Sequence, residues 1–124
     1  MTKKVLIVED EKDPRRFLEI LLQENGFDTY TAEDGIIAME IVKKSKPDAI
    51  LLDILMPRET GIKFYRDLVK DEIYVKIPVI VCSGATQYKP LFELDRRALP
   101  KPFAFIEKPI DKDNLIKKLK EAVK

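Results

Sequence analysis

Five polar side chains stand directly after short, mainly apolar runs of the sequence. They are Glu9, Asp10, Asp53, Ser83 and Lys108. A carboxylate that an apolar run carries into a fold needs a partner, a cation or solvent, because burying an unpaired charge is costly. Three acids close together would repel one another unless a cation lay among them, and oxygen ligands favour Mg²⁺ over Zn²⁺. With an ammonium and a hydroxyl nearby, such a group suits phosphoryl transfer, and Asp53 is the candidate nucleophile through an aspartyl-phosphate.

Each of these residues, taken alone, also has an ordinary structural explanation. Adjacent acids after a strand often form a solvated turn or a helix cap, and a serine at a strand end often caps a turn. A lysine before a proline is usually a surface residue. The functional interpretation therefore depends on the side chains meeting at one place.

The composition limits the classes of function. A chain of 124 residues, 45% hydrophobic and 36% charged, suits one soluble globular domain over residues 1–124. The net charge of +1 and the dispersed lysines disfavour direct binding to nucleic acid. The apolar runs fall far short of the roughly 20 residues that span a bilayer, so we expect no membrane association and a cytoplasmic location. The lack of histidine excludes catalytic triads and zinc sites that use it, and the single cysteine, Cys82, cannot form an internal disulfide.

Five short runs of the sequence predict strands. They are KVLIV (4–8), FDTYT (27–31), DAILL (48–52), IPVIVC (77–82) and AFIE (104–107). The segments between and after them show the helical spacing of apolar residues, as at Phe17, Leu18, Leu21 and Leu22. This alternation predicts an α/β fold with a five-stranded, doubly wound parallel sheet in the flavodoxin-like order 2-1-3-4-5 and five helices, with FDTYT at an edge.

Boundary residues support these elements. Gly26 is expected to end the first helix, Pro47 to separate the second helix from the third strand, and Asp111 to cap the last helix. The proline-rich segment 87–103 fits the pattern poorly, and a short fourth helix is expected around residues 91–99. Because the carboxyl ends of parallel strands share one edge, the five polar side chains are expected to converge in a crevice there.

The same residues resemble the receiver domain of two-component response regulators over essentially the whole chain. The matching pieces are VLIVEDE (5–11), DAILLDILMP (48–57) with Gly61, IPVIVCSG (77–84) and FIEKPID (105–111). The resemblance implies that Asp53 is the phosphoacceptor and that Asp10 binds Mg²⁺ directly, with Glu9 assisting through a water. It also implies that the backbone carbonyl of Leu55 completes the protein's share of the metal shell. Lys108 is expected to contact the phosphoryl group, and the Lys108–Pro109 bond to be cis.

The resemblance further implies a switch. Ser83 is expected to reach toward the phosphoryl oxygen and Phe105 to swing inward behind it, which shifts a two-state population. The downstream partner would bind the face formed by helix four, strand five and helix five. The phosphoryl donor would be a histidine kinase or a histidine phosphotransfer protein. The chain would catalyse its own phosphorylation and autodephosphorylation without acting on metabolites, and the apolar neighbours Leu55 and Ala85 predict slow dephosphorylation.

The sequence departs from the family pattern at three points, and two other functions are also considered. Glu9 stands where many members carry Asp, Phe105 lacks the hydroxyl of the tyrosine often found there, and the interval between Ser83 and Lys108 is longer than usual. One alternative is a receiver-like interaction module that is not phosphorylated, and another is a small phosphohydrolase. The sequence leaves open whether the domain stands alone or belongs to a longer protein.

Overall fold

The computed structural model describes residues 2–53, 60–84 and 100–124, without the side chains of Thr60 and Ser83. These residues form five strands and four helices. The strands are β1 (Lys4–Val8), β2 (Asp28–Ala32), β3 (Ala49–Asp53), β4 (Val79–Ser83) and β5 (Ala104–Glu107). The helices within these residues are α1 (Lys12–Glu24), α2 (Gly35–Ser45), α3 (Thr60–Lys70) and α4 (Lys112–Ala122). Helix α4 is the fifth predicted helix, since the fourth, around residues 91–99, lies outside the described residues.

The strands form one sheet in the order β2-β1-β3-β4-β5, and every pairing is parallel. The predicted fold class and strand order are therefore confirmed, and β2 lies at an edge as expected. The predicted strand bounds are correct to within two residues. One difference concerns Asp53, which ends β3 instead of following it, because it still pairs with Cys82 of β4.

Side chains alternate between the two faces of the sheet and build two separate clusters of the core. One cluster joins Leu6, Val8, Ile50 and Leu52 to buried residues of α2 and α3, among them Ala38, Val42, Phe64 and Leu68. The other joins Val5, Ile7, Leu51 and Ile106 to buried residues of α1 and α4, among them Leu18, Leu22, Leu115 and Leu119. Helices thus cover both faces, which explains why the central strands are apolar over nearly their whole length.

The predicted boundary residues act as expected. Asp111 caps α4 by accepting a hydrogen bond from the backbone N–H of Asn114 at 3.2 Å. Gly26 follows the end of α1 with φ +86°, a conformation that glycine adopts without a steric cost. Phe17, part of the predicted apolar stripe of α1, is nevertheless exposed, and the ammonium of Lys112 lies 5.5 Å from its ring centroid.

Tyr65 of α3 ties this helix to the segment that leads into β5. Its buried hydroxyl donates a hydrogen bond to the backbone carbonyl of Pro100, and burial raises its pKa to about 12. Within the described residues, no helix combines the length and the apolar character that crossing a membrane requires.

Candidate functional site

The register of the sheet brings the predicted side chains to one edge. Val8 of β1 is the partner of Leu52 in β3, so the next positions, Glu9 and Asp53, are neighbours. Continuing the alternation of side chains past the strand ends places Glu9, Asp53 and Lys108 on the face that α1 and α4 cover. The crevice between β1 and β3 is also where the strand order reverses, which is the usual ligand site of such a sheet.

Three carboxylates meet in this crevice. Glu9, Asp10 and Asp53 each place one oxygen within 4.8 Å of the others. Glu9 is only 1% exposed and Asp53 only 7%, whereas Asp10 is partly open to solvent. The predicted convergence of the acids is therefore confirmed, and Glu9, predicted to assist through a water, proves the most buried of the three. Clustered carboxylate oxygens are hard ligands that suit a divalent ion such as Mg²⁺.

Lys108 supplies the ammonium that faces these acids. Its Nζ lies 3.0 Å from Oε1 of Glu9 and 3.4 Å from Oδ2 of Asp53. Burial by itself lowers the pKa of Lys108, but the contacts with Glu9 and Asp53 outweigh burial, so the pKa is raised above its ordinary value. The side chain of Lys108 is 30% exposed, so this ion pair is partly open to solvent.

One ammonium does not neutralise the buried acids. Burial raises the pKa of Glu9 to about 7, and the hydrogen bond to Asp53 and its negative charge add to this effect, which Lys108 opposes only in part. Ionised Glu9 and Asp53 carry two negative charges against the single positive charge of Lys108. Crowded carboxylates of this kind are stabilised in their ionised form by a cation among them, so the three acids suit a bound divalent ion.

The loop that carries Glu9 and Asp10 is held by backbone contacts. The N–H of Glu9 extends the β1–β2 ladder by donating to the carbonyl of Ala32 at 3.0 Å. The N–H of Glu11 donates to Oε2 of Glu9 at 3.4 Å. Arg15, which the sequence analysis did not single out, donates from Nη1 to the carbonyls of Glu9 at 3.0 Å and Asp10 at 3.3 Å. A basic residue in the first turns of the helix after an acid pair is the only signal that could have indicated it.

The remaining predicted site residues are placed only in part. Ser83 ends β4, at the same edge, but its side chain lies outside the described residues, as does the whole of Leu55. Phe105 pairs with Val81 and packs, partly buried, against the core cluster shared with α2 and α3. The Lys108–Pro109 bond is cis, as predicted.

Cys82, the Cα partner of Asp53 on β4, is not a candidate for reaction. Its thiol is buried, and burial raises its pKa to about 12. The single cysteine is therefore a residue of the core.

The sequence matches the family model described as the response regulator receiver domain over residues 5–120. Among curated proteins, the response regulator MprA of Mycobacterium sp. (strain KMS) is 33% identical over 110 residues, which are 86% of this chain and 47% of that protein. The chain thus spans about half the length of the MprA proteins that it matches.

Solved structures give a similar result. The chemotaxis response regulator CheY4 of Vibrio cholerae superposes with a TM-score of 0.84 at 26% identity, over 98% of this chain and 99% of that one. A sensor protein from Polaromonas sp. JS666 superposes with a TM-score of 0.86 at 29% identity, over 98% of this chain and 95% of that one.

Proposed function

The chain belongs to the family of response regulator receiver domains of two-component systems, and we propose that Asp53 is its phosphoacceptor. The observation that carries the proposal is the convergence, at the end of the central strand, of three carboxylates and one ammonium from three different strand ends. Asp53 is the acid among these that ends a strand of the sheet itself.

The phosphoryl donor would be a phosphohistidine of a histidine kinase or a histidine phosphotransfer protein. An oxygen of the Asp53 carboxylate forms the new bond to phosphorus while the P–N bond of the donor breaks, and its electron pair returns to the imidazole nitrogen. Lys108, 3.4 Å from Asp53, offsets the charge of the phosphoryl oxygens.

The acids would hold Mg²⁺. Glu9, Asp10 and Asp53 provide carboxylate oxygens close enough together to bind one ion, and the backbone carbonyl of Leu55 would complete the protein's share. When bound, Mg²⁺ supplies positive charge beside the acids and neutralises phosphoryl oxygens. In the metal-free protein, burial first and the neighbouring Asp53 second raise the pKa of Glu9.

Phosphorylation would act as a switch of partner binding. Ser83 would reach the phosphoryl group and Phe105 would move inward, which changes the face of predicted helix four, β5 and α4 for a downstream protein. We place this single receiver domain, residues 1–124, in the cytoplasm. It would catalyse only its own phosphorylation and a slow autodephosphorylation, without acting on metabolites.

Intact-mass measurement tests the assignment. After incubation with MgCl₂ and acetyl phosphate, the wild-type protein should gain one phosphoryl mass and Asp53→Asn should gain none. Asp48→Asn, which changes the same residue type just before the same strand, should be phosphorylated like the wild type. Phosphoryl incorporation into Asp53→Asn at the wild-type level would overturn the proposal.

The alternative functions predict different results. A receiver-like interaction module would gain no phosphoryl mass and would bind its partners equally well with and without acetyl phosphate. A phosphohydrolase would turn over an aryl phosphate repeatedly, whereas the proposed switch should not.

A further inference from the structure

Arg15 joins helix α1 to the loop that carries two of the three acids. Its Nη1 donates to the backbone carbonyl of Glu9 at 3.0 Å and to that of Asp10 at 3.3 Å. Arg15 is partly buried, and its own N–H donates to the carbonyl of Glu11 at 3.1 Å, so the side chain starts from the first turn of α1 and reaches back over the loop. One guanidinium thus contacts both residues whose carboxylates face Asp53.

The position of this contact matters because β1 ends at Val8. Beyond a strand end, backbone carbonyls need other donors, and the orientation of the peptide groups at residues 9 and 10 decides where the two carboxylates point. Glu9 is also fixed from its other side by its N–H, which donates to Ala32, and by its pairing with Lys108. The carbonyl of Asp10 is tied to α1 by the contact with Arg15.

We infer that Arg15 is a positioning residue for the Mg²⁺ site: it orients the backbone of Glu9 and Asp10 so that their carboxylates meet that of Asp53. The inference rests on the proposed function, since it takes these acids as the metal ligands. Arg15 acts through backbone carbonyls and not as a ligand, because a guanidinium has no acceptor atom. Residues that orient metal ligands in this way commonly change metal affinity strongly when they are mutated.

Charge and geometry predict opposite effects of removing Arg15. A guanidinium near the site repels Mg²⁺, so loss of its charge alone would tighten binding. Loss of its hydrogen bonds would release the loop and weaken binding. The sign of the change in the Mg²⁺ dissociation constant therefore separates a positioning residue from a nearby charge.

The chain offers a matched control. Arg16 is the next residue, its side chain is 65% exposed, and it pairs with Glu19 of the same helix. Arg16→Met removes the same charge beside the same loop without breaking a contact to Glu9 or Asp10. Arg15→Lys keeps the charge but lacks the planar guanidinium, so it tests the geometry alone.

The experiment is a titration of the isotope-labelled, metal-free protein with MgCl₂, followed by the backbone amide signals of Glu9, Asp10 and Glu11. Arg15→Met should raise the dissociation constant about tenfold and Arg15→Lys by a smaller factor, while Arg16→Met stays within about twofold of the wild type. Signals of the sheet distant from the loop should not move, which separates positioning from unfolding. If Arg15→Met does not fold, Arg15→Lys against Arg16→Met gives the same comparison.

Each result decides the inference. A dissociation constant for both Arg15 variants that is unchanged, or tighter than the wild type, would overturn the role of Arg15 and leave the metal site itself standing. If the wild-type protein showed no response to MgCl₂, the proposed metal site would fail, and the inference with it. Weaker binding in both Arg15 variants but not in Arg16→Met would support it.

Discussion

Asp48 and Asp53 stand at opposite ends of strand β3, and the two carboxylates have different surroundings. Asp48 is exposed, and it pairs with the backbone of Lys4: its N–H donates to the carbonyl of Lys4 at 2.7 Å, and its Oδ2 accepts from the N–H of Lys4 at 2.8 Å. Asp53 is buried beside Glu9 and faces the ammonium of Lys108. One acid extends a ladder of backbone hydrogen bonds, and the other belongs to a charged crevice.

A second acid at the amino-terminal edge follows the pattern of Asp48. Asp28, the first residue of β2, is exposed and accepts a hydrogen bond from the hydroxyl of Thr2 at 2.6 Å. The acids of the amino-terminal edge therefore make local hydrogen bonds in water, where an ionised carboxylate is stable. The acids of the carboxyl-terminal edge are crowded together, so their charges depend on one another, and this mutual dependence is what makes the site suited to a cation and a phosphoryl group.

The largest effect on stability is expected at Lys108. Lys108→Met removes the ammonium that faces the buried carboxylates of Glu9 and Asp53. It should lower the free energy of unfolding at pH 8 by about 2 kcal/mol. This is less than the loss of a fully buried ion pair would cost, because the Lys108 side chain is partly exposed. Phosphorylation by acetyl phosphate should also be lost. Urea denaturation of the metal-free protein measures the first effect and intact mass the second.

Lys63→Met is the matched control for Lys108→Met. Lys63 pairs with Asp67 at 2.9 Å on the exposed surface of α3, so its loss should change the free energy of unfolding by no more than about 0.5 kcal/mol. Equal destabilisation by the two substitutions would show that the crevice acids do not depend on Lys108.

A pH-dependent effect is expected at Glu9. Its pKa of about 7 in the folded, metal-free protein exceeds the ordinary value of 4.5 expected in the unfolded chain. Between pH 4.5 and 7, Glu9 therefore holds a proton in the folded state that it has released in the unfolded state. The contribution of Glu9 to stability is present below pH 4.5, and it is lost as the pH rises toward 7. Glu9→Gln should remove this part of the decline, which urea denaturation in EDTA at several pH values measures.

Glu11→Gln provides the comparison for Glu9→Gln. Glu11 is exposed and lies two residues further along the same loop, so this variant should keep the wild-type decline between pH 4.5 and 7. The raised pKa of Glu9 would be contradicted if the stability of the wild-type protein did not decline over this pH range, or if Glu9→Gln left the decline unchanged.

A smaller effect than that of Lys108→Met is expected at the amino-terminal edge. Asp48→Ala removes the carboxylate that accepts a hydrogen bond from the N–H of Lys4, and it should lower the free energy of unfolding by about 1 kcal/mol. The affinity for Mg²⁺ should not change, because this edge lies at the opposite end of β3. A change in Mg²⁺ affinity in Asp48→Ala would contradict the separation of the two edges.

The topology of this protein was predictable from its sequence, because it depends on local patterns. Mainly apolar runs of four to six residues alternate with segments in which apolar residues have helical spacing. Few arrangements satisfy this alternation, and a parallel sheet with helices on both faces is the one that buries the runs. The convergence of Glu9, Asp53 and Lys108 followed for the same reason: carboxyl ends of parallel strands share an edge, whatever the details of packing. The cap at Asp111 was likewise a local matter, since its acceptor and donor are three residues apart.

The sequence by itself therefore determined which residues gather, and only the tertiary structure decided how they share charge. That Glu9 is more deeply buried than Asp53, and that Lys108 lies closer to Glu9 than to Asp53, depends on side-chain directions at strand ends that are 99 and 55 residues from Lys108 along the chain. The contact of Arg15 with two backbone carbonyls depends on how α1 leaves the loop. The burial of a side chain and its electrostatic coupling to other charges depend on its neighbours in space. Residue types and their spacing along the chain therefore do not predict them.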